Sequence, residues 1–180
     1  LRNMLAKNET IDRYTPGISY SYFNPEVSKQ KLLTLLQYQF TLKDIGEWPN
    51  IMGVNEGIEQ RFANFIFQAQ SYDDFVGLVK TKRYPPNRIK RLILYMLLGV
   101  SKEHENQPHH YLRILAMNQV GKNYVNTLPL ALKKQIITSF KKLNNDLVNY
   151  ELKASKLFGI INEKPNIYLQ EFQVPYIGEN

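Results

Sequence analysis

Residues 80–100 read KTKRYPPNRIKRLILYMLLGV, and the reading of the fold turns on them. Pro85 and Pro86 forbid any helix from running through, because proline lacks an N–H and its ring clashes with the preceding turn. From Pro86 to Val100 the spacing predicts a helix. Ile89, Leu92, Ile93, Met96, Leu97 and Val100 fall on one face, and Arg88, Arg91 and Tyr95 share another. Leu94 and Leu98 make the second half apolar nearly all round, which predicts that this half is buried. The charge sits at the head of the helix.

Six cations (Lys80, Lys82, Arg83, Arg88, Lys90, Arg91) crowd that head. They repel one another, folding does not require them, and a polyanion would neutralise them. The Pro-Pro-Asn turn also presents a helix N-terminus, whose N–H groups and dipole favour phosphate. The alternative is a solvated face, or pairing with carboxylates elsewhere. Composition leaves both open. Tyr84, inside the basic segment, either stacks on a base or packs as an anchor for the turn.

Upstream, Ser71 with Asp74 resembles a capping box opening a short helix to about Lys80. Asn55 is expected to cap a helix with Glu56 and Glu59 in its first turn and Ile58, Phe62, Phe65, Ile66 and Ala69 as its stripe. Gly46, Pro49 and Gly53 punctuate the link before it. Asn24 is expected to cap a helix beginning at Pro25, carrying Leu32, Leu35, Leu36 and Phe40. Residues 8–22 are polar and turn-rich, and residues 1–7 read as a short helix or the tail of one.

Downstream, residues 101–110 form a polar loop. YLRILAM (111–117) and QIITSF (135–140) read as strands with a helical turn, GKNYVNTL, between them: a small βαβ-like unit. Asn144 or Asn145 then caps a helix through about Ile160, with Leu147, Leu152 and Leu157 apolar. The tail, with Pro165 and Pro175, is expected to be extended. The fold class is therefore mainly α: a helical bundle-like domain over 1–102, a linker at 103–110, and a smaller α+β subdomain over 111–180 holding a two-stranded β element.

The chain has 180 residues, 43% of them hydrophobic, and a net charge of +7, which favours anionic partners. It has no cysteine, which excludes disulfides, thiolate catalysis and Cys-ligated zinc, and fits a reducing, cytoplasmic compartment. No apolar run reaches the roughly 18 residues that span a bilayer. His104, His109 and His110 lack helical metal-ligand spacing, and a solvated loop is the better reading. Asp73 and Asp74 read as helix-start carboxylates rather than an acid–base pair. No catalytic residue is named, and no phosphate-cradling glycine loop is present. The first residue is Leu1 rather than Met, so a longer parent protein is expected.

Several motifs occur together in order. They are Glu56-Gly57-Ile58-Glu59-Gln60-Arg61, Ser71-Tyr72-Asp73-Asp74, the Lys80–Arg91 run, YLRILAMNQVGK (111–122) and ELKASKLFGI (151–160). Together they resemble the C-terminal half of the bacterial tRNA(Met) cytidine acetate ligase family. Pro85 stands where the family usually has Thr, and Ala116 where Gly is common. The family's N-terminal nucleotidyltransferase-like domain, with its phosphate-binding His motif, has no counterpart in these residues.

The resemblance implies an ATP-dependent ligase that activates acetate as acetyl-adenylate and acetylates N4 of the wobble cytidine of elongator tRNA(Met). ATP is the implied cofactor, and tRNA and acetate the implied partners; no membrane is expected. Leu1-Arg2 looks like the end of the family's I-R motif, which makes Arg2 a candidate nucleotide contact, with an ordinary helix-surface arginine as the alternative. The expected RNA contacts are Lys80, Lys82, Arg83, Tyr84, Arg88, Lys90 and Arg91, with Arg113 and Lys122 as weaker candidates. The chain alone is expected to bind RNA without catalysing. A competing reading is a protein-interaction or self-association module, a homo-oligomer built on the apolar helix around Leu94.

Overall fold

The computed structural model describes residues 25–105, 111–142 and 146–178. Readings placed on residues 1–24 (Arg2 and Asn24 among them), and on His109, His110, Asn144 and Asn145, lie outside the described residues. Those described form a mainly helical fold with small parallel β elements.

Helix α1 (Pro25–Leu42) starts at the expected proline and buries Leu33 and Leu36. A 3-10 helix, Ile45–Asn50, then carries the fully buried Trp48, whose ring stacks on Phe40 at 4.5 Å. Helix α2 (Ile58–Ile66) and helix α3 (Tyr72–Val79) meet through Phe62 and Phe75, edge to face at 5.1 Å. Ser71 caps α3 as expected: its hydroxyl accepts from the Asp74 N–H at 3.1 Å. The Asp74 carboxylate accepts from the Gln70 N–H at 2.9 Å rather than from that of Ser71.

Helix α4 (Pro86–Leu98) begins after Pro85 and ends at Gly99, whose φ of +65° is a left-handed stop that glycine adopts without a Cβ penalty. Ile89, Leu92, Ile93 and Met96 are buried and join the residues of α1, α2 and α3 in one core. The expectation for Leu94 is corrected. It is 41% exposed, because α1, α3 and α7 cover other parts of the helix and leave this one to solvent.

Beyond residue 110 the βαβ reading holds in miniature. Strand β1 (Leu112–Arg113) pairs in parallel with β3 (Ile136–Ile137), Leu112 opposite Ile136, and helices α5 (Gln119–Thr127) and α6 (Leu130–Lys133) lie between them in sequence. The single strand expected over 111–117 is divided. Its second part, β2 (Ala116–Asn118), pairs in parallel with β4 (Tyr176–Gly178) in the tail. The tail is thus not simply extended: a 3-10 helix, Ile167–Phe172, precedes β4.

Helix α7 (Asp146–Ile161) packs against that 3-10 helix and returns to α1 and α4. The buried Ser28 of α1 donates to the Asn162 side-chain oxygen at 3.0 Å, and Lys31 pairs with Glu163 at 2.7 Å.

Candidate functional site

The segment leading into α4 is built around one carboxylate, Glu56. Arg83 donates to one of its oxygens at 3.0 Å and Arg88 to the other at 3.2 Å. The Tyr84 hydroxyl donates to the Glu56 backbone carbonyl at 2.6 Å, and the Arg88 guanidinium lies 5.2 Å from the Tyr84 ring centre. Arg88 also donates to the Asn55 side-chain oxygen. The Arg83 hydrogen bond first, and that of Arg88 second, hold the Glu56 carboxyl below its ordinary value.

These contacts explain an unusual backbone. Glu56 has φ +61° and Gly57 φ +77°, so a non-glycine residue occupies the left-handed region. That conformation is costly and persists where the surroundings over-determine it. The helix therefore starts at Ile58, with Gly57 at its cap position. The expectation that Asn55 caps it is corrected: the Asn55 side chain serves Arg88, and its backbone carbonyl accepts from the Ile58 N–H at 3.3 Å.

The basic cluster thus divides in two. Arg83 and Arg88 share the one carboxylate of Glu56, which offsets one of their two charges, and Tyr84, 7% exposed, is the anchor of the turn rather than an open stacking face. The Tyr84 N–H donates to the Thr81 hydroxyl at 3.0 Å, and its carbonyl accepts from the Thr81 N–H at 3.2 Å, which tightens the turn further. Lys80, Lys82, Lys90 and Arg91 are exposed, and among the described residues none of their side chains has a hydrogen-bond or ion-pair partner. They are four exposed cations around a cross-linked turn.

Arg61, which closes the same motif as Glu56, has no role assigned from the sequence. Its guanidinium donates to the carbonyls of Val79 at 2.6 Å and Leu78 at 2.7 Å, the unpaired C-terminal end of α3. The wide spacing of these residues hides the link; the recurrence of both motifs in one chain is the available signal.

Arg113 lies elsewhere, among acidic and aromatic neighbours. It pairs with Glu171, lies 3.8 Å from Glu151 and sits 4.1 Å from the Phe140 ring centre. Lys122 is exposed on α5. His104 packs edge to face on Tyr150 at 5.1 Å.

Beside the anchored turn opens a cleft of about 510 Å³, lined by Met52, Asn55, Arg88, Arg91, Tyr95 and Glu105 among others. The face of α4 that carries Arg88, Arg91 and Tyr95 forms one of its walls. The opposite rim is the 51–56 segment, held by the Met52 N–H on the Val100 carbonyl at 2.8 Å and by Lys102 on the carbonyls of Pro49 and Val54, both at 3.2 Å.

The candidate site thus combines buried helical scaffolding, a cross-linked turn and an exposed cationic rim, and comparison with known proteins places the chain in a family. The chain belongs to the HIGH nucleotidyl transferase family, whose model matches residues 1–172. It is 31% identical over 178 residues to a tRNA(Met) cytidine acetate ligase of Listeria monocytogenes, covering 97% of this chain and 45% of that protein. It is 30% identical over 163 residues to one of Staphylococcus aureus, covering 90% of this chain and 42% of the relative. The chain spans less than half the length of these curated relatives.

The fold is similar to that of Thermotoga maritima TmcAL, solved in its apo form, with a TM-score of 0.71 and 23% identity over 86% of this chain and 41% of that one. The same protein bound with alpha-thio ATP gives a TM-score of 0.68, at 23% identity over 86% of this chain and 42% of that one. One expectation is corrected by these matches. The likeness is not confined to a C-terminal half, because the family model matches this chain from residue 1.

Proposed function

We propose that this chain is the RNA-holding part of an ATP-dependent ligase that acetylates N4 of the wobble cytidine of elongator tRNA(Met) through acetyl-adenylate. The observation that carries the reading is the set of exposed, unpartnered cations Lys80, Lys82, Lys90 and Arg91 around a turn locked by Glu56. Phosphate contacts of this kind set the register of an RNA, and an unstacked anticodon base is then free to react. The names of the Listeria and Staphylococcus relatives support the substrate. The ligand of the Thermotoga protein supports ATP. Arg2 is the candidate contact to ATP, Lys122 a peripheral RNA contact, and Arg113 a structural residue. Acetate is the second substrate, and the enzyme works in the cytoplasm. Catalysis needs parts of the family's length that this chain does not span.

The test is binding of the chain to a labelled elongator tRNA(Met) transcript at about 50 and 200 mM salt. Wild type is expected to weaken steeply with salt. Lys90→Glu/Arg91→Glu is expected to lose at least tenfold in affinity with a shallower salt slope; unchanged affinity overturns the assignment. Acetyl-adenylate formation by the chain alone would overturn the claim that it does not catalyse. Self-association through α4 is favoured by one observation, the 41% exposure of Leu94. A dimer in light scattering, insensitive to the double charge reversal, would support that second reading.

A further inference from the structure

The cleft beside the anchored turn contains chemistry that phosphate binding alone leaves unused. Its volume of about 510 Å³ falls within the range of small-ligand sites. Arg91 and Tyr95 lie one turn apart on the same face of α4 and both line it. Arg88, on that face too, is committed to Glu56, whereas Arg91 has no partner among the described residues. Leu92 and Met52 supply an apolar floor, and Tyr95 is half-buried against the core, so its ring is held in place. Glu105 adds a carboxylate. Ionised, it only accepts hydrogen bonds and therefore selects N–H donors.

We propose that this cleft takes one unstacked nucleotide of the bound RNA strand. Its base lies against Tyr95 above Leu92 and Met52, its amino-bearing edge faces Glu105, and its phosphate rests on Arg91. Cytosine and adenine offer an exocyclic amine where uracil carries the O4 carbonyl, which a carboxylate repels; uracil's one donor there, N3–H, is flanked by two carbonyl oxygens. The site therefore reads the presence of an amino group. The inference rests on the RNA-holding reading and adds a base-selective pocket to it.

The experiment compares short labelled single-stranded oligocytidylate, oligoadenylate and oligouridylate, by anisotropy, on wild type and three variants. Wild type is expected to bind the first two several-fold more tightly than the third. Tyr95→Leu, which keeps apolar bulk, is expected to weaken binding roughly tenfold with an unchanged salt slope, because it removes a stacking face and no phosphate contact. Glu105→Gln is expected to erase the preference over oligouridylate. If Tyr95→Leu does not fold, Met52→Trp, which fills the floor from a partly exposed position, is expected to produce the same loss. Should the cleft variants bind like wild type while Lys90→Glu/Arg91→Glu does not, the pocket is overturned and the RNA-holding reading stands. If wild type binds none of these RNAs and no tRNA, both fall.

Discussion

Glu56 concentrates more structural consequence than any other residue near the candidate site. Its carboxylate joins Arg83 and Arg88, its carbonyl takes the Tyr84 hydroxyl, and its φ is +61°. Because its pKa is depressed in the fold, chiefly by Arg83, its contribution to stability is present above the ordinary value of 4.5 and is lost as pH falls through the folded value. Glu56→Gln is therefore expected to be less stable than wild type at neutral pH, with the two converging well below pH 4.5 in urea titrations. A gap that persists in acid would assign the effect to the backbone instead. Arg61→Ala removes two charge-assisted hydrogen bonds from the end of α3 and is expected to cost about 2–4 kcal/mol in the same assay. The sequence marked Glu56 as a first-turn carboxylate because local rules see only neighbours. Its real partners lie 27 and 32 residues away.

Elements followed the sequence where their causes are local. Prolines placed the start of α1 and α4, and Ser71 placed that of α3; α4, expected to run to Val100, instead ends at Leu98, where Gly99 takes the left-handed cap conformation. They departed from it where a distant partner intervened. Helix α2 starts late because Asn55 and Glu56 are drawn to the head of α4, and residues 111–118 form two short strands because each half pairs with a different partner. At the end of α7, a Cβ on Gly159 would stand 2.5 Å from the Lys164 carbonyl oxygen, where the chain folds back and the Lys164 N–H donates to the Gly159 carbonyl at 2.7 Å. Gly159→Ala is expected to destabilise the protein by roughly 1–3 kcal/mol and to loosen the following 3-10 helix, visible as faster amide exchange over residues 164–172. Unchanged exchange there would mean that the turn simply shifts.

Across the whole molecule, the basic segment holds two sets of cations that charge counting merges, one paired with Glu56 and one exposed without a partner among the described residues and proposed to hold RNA. Arg83→Glu/Arg88→Glu sets three carboxylates together and is expected to lower the melting temperature by several degrees. Lys90→Glu/Arg91→Glu removes exposed cations that hold no partner among the described residues and is expected to leave melting unchanged while weakening tRNA binding at least tenfold with a shallower salt slope. Equal melting losses in both variants would refute this division.

The helical class, the position of α4, the excess of positive charge and the ordered motifs behind the family likeness were all legible in the residues, because periodicity, proline and net charge are local or additive properties. Which cations are spent inside the fold, that Tyr84 is an anchor, that Leu94 faces solvent, that the tail supplies a strand, and that a cleft opens beside Arg91 and Tyr95 were decided by the tertiary structure. Each depends on which distant groups meet, and a partner tens of residues away leaves no mark in the local pattern.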